Sequence, residues 1–99
     1  MVAVRDKVAR MPPLVDYDHV ADVLYVTLGR PVPAEGEDGP RGTVLRYSLA
    51  DGSPVGVTVI GFSHNGWERR VDELSRLIAG HLRIDYVPVL MAIERGTKR

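Results

Sequence analysis

The sequence contains no cysteine, and only one tryptophan and one phenylalanine among its 99 residues. Without cysteine the chain has no disulfide, no thiolate metal ligand and no thiol nucleophile, which fits a reducing compartment such as the cytoplasm. No apolar run approaches the roughly 18 residues of a membrane-spanning helix, and the first residues hold no hydrophobic segment of the kind found in secretory signals. We therefore expect a soluble cytoplasmic protein that does not associate with membranes.

Net charge is also lacking, because 13 Lys and Arg residues balance 13 Asp and Glu residues. Proteins that bind nucleic acids usually neutralise phosphates with a basic face, and neither half of this chain is basic. Short basic stretches occur at 5–10 and 95–99, where charged side chains are normally solvated. Nucleic-acid binding is therefore not expected.

The motifs of common catalytic and cofactor sites are missing as well. The chain has no G-x-S-x-G turn, no P-loop and no glycine-rich dinucleotide motif. Its histidines, His19, His64 and His81, have no second histidine at the three- to five-residue spacing of a metal pair. The sequence predicts no cofactor and no metal, and it favours a role without enzymatic activity while leaving an enzyme as the alternative.

Several polar residues stand at predicted turns. Asp16, Asp18 and Asp22 resemble the start of a calcium-binding loop, but the positions that would continue it do not carry its glycine and oxygen ligands. Side chains of this type more often accept hydrogen bonds from the amides of their own turn. We predict this turn-capping role for Asp18, Asp22, Asp51 and Asn65.

The chain does contain the alternation of apolar and polar residues that is typical of β-strands. Residues 23–28 are nearly all β-branched, aromatic or long aliphatic, which predicts a central strand. A short strand at 14–17 precedes it, and strands at 43–49 and 55–62 are joined by an Asp-Gly turn. Short connections favour antiparallel neighbours, so we predict an α+β fold with a meander of three to four strands.

Residues 29–42 interrupt this alternation. The segment contains three prolines and four glycines among acidic residues. Such a density of residues that break regular structure predicts a long, irregular and mobile polar loop.

Apolar residues recur at helical spacing from Trp67 to Leu82. Asn65 and Glu68 have the spacing of an N-cap and a capping box, so the helix is predicted to begin there and to cover the inner face of the sheet. Residues 84–95 fit either a short helix with Pro88 in its first turn, which we favour, or an edge strand. The double proline before Leu14 sets off residues 1–13 as a flexible leader to a single domain at 14–99.

The alternation also assigns the two faces of the sheet, because an unpaired Arg46 cannot lie in a core. The inner face is predicted to hold Leu24, Val26, Leu28, Leu45, Tyr47, Val55, Val57 and Val59. The outer face is predicted to hold Val23, Tyr25, Val44, Arg46, Thr58 and Ile60, alongside Thr27, Ser48 and Gly56. This second set is too apolar for a fully solvated surface and is typical of an interface.

An acidic turn, a Leu-Tyr-Val strand, an Asp-Gly turn and a Val-Gly strand follow one another in a recognisable order. The residues are Tyr17-Asp18, Ala21-Asp22, Leu24-Tyr25-Val26, Tyr47, Asp51-Gly52 and Val55 to Ile60. With these, residues 16–63 resemble a family of small, mostly prokaryotic domains known as domain of unknown function 2283. The chain carries Arg46 where members usually have an acidic residue and Thr58 where they often have Glu. The resemblance implies a compact antiparallel sheet and no established activity.

Two hypotheses about function follow. The first is a non-enzymatic interaction or regulatory module that forms a homodimer through the outer face, or acts as the antitoxin-like partner of another small protein. In the alternative account of that face, the leader or the C-terminal segment folds over it. The second hypothesis is a domain that binds a small ligand or acts as an enzyme, with a pocket between the 29–42 loop and the helix.

Overall fold

The computed structural model of the chain describes residues 13–98, which form five strands and two helices. The strands are β1 (Pro13–Asp18), β2 (Val23–Leu28), β3 (Ala34–Asp38), β4 (Thr43–Ser48) and β5 (Pro54–Ile60). The α-helices are α1 (Val71–Leu82) and α2 (Tyr86–Thr97), and short 3-10 turns lie at Pro40–Gly42 and Trp67–Arg69. The predicted leader at residues 1–12 lies outside the described residues, whereas Pro13 is the first residue of β1.

All five strands belong to one antiparallel sheet with the order β1-β2-β5-β4-β3. The α+β class is confirmed, but the prediction of three to four strands is too low. The sheet is also not a simple meander, because β2 pairs with β5 and the connection after β2 crosses to the far edge. This order puts Leu24 and Val26 beside Val59 and Val57, so the most apolar strands share the centre.

The additional strand, β3, lies inside the segment that was predicted to be an irregular loop. Its sequence, Ala-Glu-Gly-Glu-Asp, is poor in residues that favour strands. The strand forms through backbone pairing with β4, from Ala34 opposite Ser48 to Asp38 opposite Val44. Charged side chains suit such an edge strand because they discourage pairing with other sheets.

The predicted helix start at Asn65 is wrong. Residues Trp67–Arg69 form a 3-10 turn, Arg70 breaks the helical conformation with φ −132° and ψ 41°, and α1 begins at Val71. The Asn65 side chain accepts no capping hydrogen bond; its Nδ2 donates to Ile60 O at 2.9 Å. Gly66, in the left-handed conformation at φ 85°, redirects the chain after Asn65 and separates it from the helix.

Both helices pack against the inner face of the sheet, as predicted for the first of them. Leu74 and Ile78 of α1 and Val89 and Ile93 of α2 are fully buried. They share one core with these inner-face and turn residues: Leu24, Val26, Val57, Val59, Phe62 and Trp67. Because burial of large apolar side chains stabilises by roughly 1.5 to 3 kcal/mol each, this layer is the main source of stability.

The C-terminal segment is a helix and not an edge strand. A Cβ placed on Gly96, inside α2, would lie 2.6 Å from Val15 Cγ1, so the helix packs closely on β1. Val15 lies opposite Val26 and therefore on the inner face. The alternative that this segment covers the outer face is thus wrong. Within residues 13–98, no helix is long and apolar enough to cross a membrane.

Candidate interaction surface

The six predicted interface residues all lie on the outer face of the sheet. Tyr25 of β2 lies opposite Thr58 of β5, which in turn lies opposite Val44 of β4. Val23 lies opposite Ile60 in the next row of outer-face residues. Arg46 lies opposite Gly56 in the row on the other side of Thr58. The alternation of side chains along each strand therefore assigned these six residues to the correct face of the sheet.

Several large apolar side chains are exposed on the outer face. Tyr25 is 42% exposed and Ile60 is 53% exposed, while Val23, Val44, Arg46 and Thr58 are half-buried. Both helices lie on the inner face, so within the described residues no helix covers these side chains. The outer face forms an amphipathic surface in which a tyrosine and an arginine lie among aliphatic side chains.

The sequence interpretation missed two members of this surface, Leu14 and Val32. Leu14 of β1 is 53% exposed and lies opposite Thr27, which places it on the outer face. Its alternation with the half-buried Val15 could have identified it. Val32, which is 44% exposed, follows β2 in the connection to β3, and no periodicity indicates its position.

A shallow depression of about 280 Å³ opens on the outer face. Its lining residues are Tyr25, Val26, Thr27, Pro31, Val32, Ala34, Arg46, Val55, Gly56, Val57 and Thr58. The second hypothesis placed a pocket between the 29–42 segment and the helix; the part of this segment that lines the depression borders the outer face instead, whereas α1 covers the inner one. The segment takes this position because the chain crosses after β2 to the opposite edge of the sheet.

A second polar cluster surrounds Asp22, in the turn between β1 and β2. Its carboxylate accepts hydrogen bonds from Tyr17 Oη at 2.5 Å, from the Ser63 amide at 3.0 Å and from the His64 amide at 3.0 Å. Its carbonyl oxygen accepts from the Gly61 and Phe62 amides at 2.9 and 3.1 Å. One residue thus joins the first hairpin to the chain that leaves β5.

The conformation and ionisation of Asp22 reflect these bonds. Its φ of 60° is left-handed, a conformation that aspartate tolerates better than most residues other than glycine and asparagine. Desolvation alone would raise the pKa of the carboxyl group, but the hydrogen bonds from Tyr17, Ser63 and His64 outweigh it and lower the pKa to about 2. The same bond raises the pKa of Tyr17, because the phenol donates to a carboxylate. The ionised carboxylate of Asp22 is therefore held in place by these hydrogen bonds and links the two segments of chain.

Two other residues proposed for turns, Asp18 and Asp51, accept hydrogen bonds from their own turns. Asp18 Oδ1 accepts from the amides of Val20 and Ala21, each at 3.0 Å. Asp51 Oδ1 accepts from the Ser53 hydroxyl at 2.7 Å and its amide at 3.0 Å, and these bonds lower the pKa of Asp51. In the Asp-Gly turn it is Gly52 that takes the positive φ, at 75°.

The three histidines have separate surroundings. The His19 ring stacks edge-on against Tyr17 with centroids 4.5 Å apart, and the backbone of His64 binds Asp22. His81 Nε2 lies 3.1 Å from Arg46 O, to which it donates because a carbonyl oxygen only accepts. Among residues 13–98, no group of three or more His, Asp or Glu side chains is placed to hold a metal ion.

Comparison with protein-family models matches residues 14–63 to the family described as protein of unknown function (DUF2283). The chain belongs to the DUF2283 family. The match spans the five strands apart from Pro13, the outer face and the Asp22 cluster apart from His64, and it ends before α1 and α2. The resemblance noted at residues 16–63 is thereby confirmed. Comparison with the curated proteins and with the solved structures gave no match.

Proposed function

We propose that this DUF2283 chain is a non-enzymatic interaction module that forms a homodimer through the outer face of its sheet. The observation that carries the proposal is the exposure of Tyr25 and Ile60 on a strand surface that no described helix covers. Exposed apolar surface bordered by polar residues is typical of protein interfaces, where tyrosine and arginine are enriched.

The register of the strands favours a particular two-fold arrangement. Tyr25 and Val44 lie on either side of Thr58, and Thr58 belongs to β5, the middle strand of the five. A two-fold axis that runs along β5 between two facing sheets exchanges β2 with β4. Tyr25 of each copy then lies over Val44 of the other. Two sheets that pack in this way interdigitate their side chains at about 10 Å separation.

Analytical ultracentrifugation of Tyr25→Lys tests the interface. We expect the unaltered chain to sediment as a dimer and Tyr25→Lys as a folded monomer, because lysine would be desolvated in the apolar contact. Met91→Lys is the matched control, since Met91 is 51% exposed on the helical layer on the other side of the sheet. A monomeric unaltered chain, or a dimer that persists in Tyr25→Lys, would overturn the proposal.

The two-fold arrangement has its own test. In the double variant Tyr25→Lys with Val44→Glu, each interface contains two Lys–Glu pairs if the axis runs along β5. We expect this double variant to regain the dimer that each single variant loses. A double variant that stays monomeric would show that the axis lies elsewhere on the face.

The interaction module is also proposed to act as a regulatory, antitoxin-like partner of a second small protein in the cytoplasm. Support for this role comes only from the small size of the domain and from the surface that it presents. A photo-reactive residue at position 25, used in cells of the source organism, tests it. We expect a cross-link to one specific small protein besides the second copy, and the same residue at position 91 should not form this cross-link.

A further inference from the structure

We propose that the depression on the outer face binds a small organic carboxylate. The site shares Tyr25, Arg46 and Thr58 with the proposed dimer face, but the inference does not require that dimer to exist. The ligand class follows from the charge, the hydrogen-bond donors and the size of the depression.

A gap in one row of side chains creates the depression. Thr27, Gly56 and Arg46 lie side by side on β2, β5 and β4. Gly56 has no side chain, so the buried backbone of this residue lines the depression at the middle of the row. A Cβ at that position would lie 2.7 Å from Val26 O, which shows how closely β2 and β5 approach there. The floor is therefore rigid sheet backbone, and the walls are Thr27 and Arg46.

The charge of the lining selects an anion. Among residues 13–98, Arg46 contributes the only charged side chain to the lining, and no aspartate or glutamate of this range belongs to it. Its Nη2 lies 3.5 Å from Ala34 O, which is at the outer limit of a hydrogen bond. A guanidinium carries five N–H donors and matches a carboxylate with two parallel bonds. This long contact engages one of these donors, and within residues 13–98 the others are left for a ligand.

The remaining lining residues define the rest of the ligand. The lining also includes Tyr25, Thr27 and Thr58, whose side chains carry hydroxyl groups that can donate hydrogen bonds, and the apolar residues Pro31 and Val32. One arginine suits a singly charged carboxylate better than a doubly charged phosphate, which proteins usually bind with several cations or backbone amides. The volume of about 280 Å³ lies just under the roughly 300 Å³ at which drug-sized sites begin. The ligand is therefore a small acid with a compact apolar body.

Ile60→Lys provides a background in which binding can be separated from dimerisation. Ile60 belongs to the outer face but does not line the depression. The variant is expected to remove the proposed dimer and to leave the carboxylate site intact. If the unaltered chain and Ile60→Lys are both monomers, the proposed function fails while the carboxylate site can still be measured in either protein.

The experiment is a titration of Ile60→Lys with benzoate, followed by amide NMR spectra. We expect saturable shifts at Tyr25, Thr27, Val32, Arg46, Gly56 and Thr58. Benzyl alcohol, which has the same ring without the charge, should produce no saturable shifts at these residues. Adding Arg46→Gln to this background should weaken benzoate binding by about tenfold or more, because it removes a charge-assisted pair.

Three results would overturn the proposal. They are equal responses to benzoate and benzyl alcohol, unchanged benzoate affinity in Arg46→Gln, and inorganic phosphate that binds these residues more tightly than benzoate. The dispersion of the spectra reports whether Arg46→Gln folds. Arg46→Lys serves as a second variant that keeps the charge but loses the planar fork, so its affinity should lie between those of the arginine and glutamine proteins.

Discussion

The phenolic oxygen of Tyr17 lies 2.5 Å from a carboxylate oxygen of Asp22, five positions further along the chain. Because Asp22 also accepts hydrogen bonds from the amides of Ser63 and His64, this contact couples β1 to the chain that follows β5. Four predictions about stability follow from this cluster and from the packing around it.

The first prediction concerns acid stability. The pKa of Asp22 is lowered from 3.8 to about 2 in the folded chain, so its ionised form stabilises the fold. That contribution is complete above the pKa of the unfolded chain, near 4, and is lost as the pH falls towards 2. Because solvent screens this partly exposed carboxylate, the contribution amounts to about 1 kcal/mol. Urea unfolding at several pH values should show this loss, and Asp22→Asn should remove the part that Asp22 contributes while leaving the part from Asp51, whose pKa is also lowered.

The second prediction concerns the hydroxyl of Tyr17. In Tyr17→Phe the ring can keep its edge-on contact with Phe62, whose centroid lies 5.3 Å away, but the donor to Asp22 is lost. We expect the free energy of unfolding to fall by about 1 to 2 kcal/mol and the pKa of Asp22 to rise. Chemical denaturation and a carboxylate NMR titration measure the two effects. A stability loss with an unchanged pKa would contradict the role assigned to this bond.

The third prediction concerns Trp67. This side chain is 1% exposed, and its Nε1 donates to Arg41 O at 3.0 Å. Trp67→Phe removes both the donor and part of the buried volume, so the free energy of unfolding should fall by about 1 to 3 kcal/mol. Circular dichroism during urea unfolding measures the change. Arg41→Gly is the control: it keeps the carbonyl acceptor and relieves a left-handed φ of 51°, so its effect should be small.

The fourth prediction compares two glycines. A methyl group at Gly56 would lie 2.7 Å from Val26 O, whereas one at Gly80 of α1 would have no atom within 4 Å apart from the backbone of its own helix. Gly56→Ala should therefore destabilise by about 1 to 3 kcal/mol, because β2 and β5 must move apart. Gly80→Ala should stabilise by about 0.5 to 1 kcal/mol through helix propensity. Thermal unfolding of the two variants should show shifts of opposite sign.

The sheet faces were predictable because alternation along a strand is a local property. Arg46 could not lie unpaired in a core, and that one constraint fixed the direction of Leu45 and Tyr47. The same logic identified the interface candidates, including Tyr25 and Ile60. It also predicted the apolar stripe of α1, since Leu74 and Ile78 recur at the helical period.

Other features depend on the conformation of a turn or on contacts between distant parts of the chain. Asn65 has the type and spacing of an N-cap, but it donates to Ile60 O in a turn governed by Gly66. Asp22 has the type of a residue that caps its own turn, yet most of its partners lie about 40 positions away. No local pattern indicates such partners.

The sequence by itself determined the α+β class, the faces of β2, β4 and β5 and the identity of the apolar helix surface, because each follows from the period of neighbouring side chains. Only the tertiary structure decided the strand order, the existence of β3 and the position of the depression. β3 has side chains that disfavour strands, and it forms because β4 offers its backbone groups as partners. Every residue except proline offers the same main-chain donor and acceptor. The identities of the side chains therefore do not indicate which strands pair through the main chain.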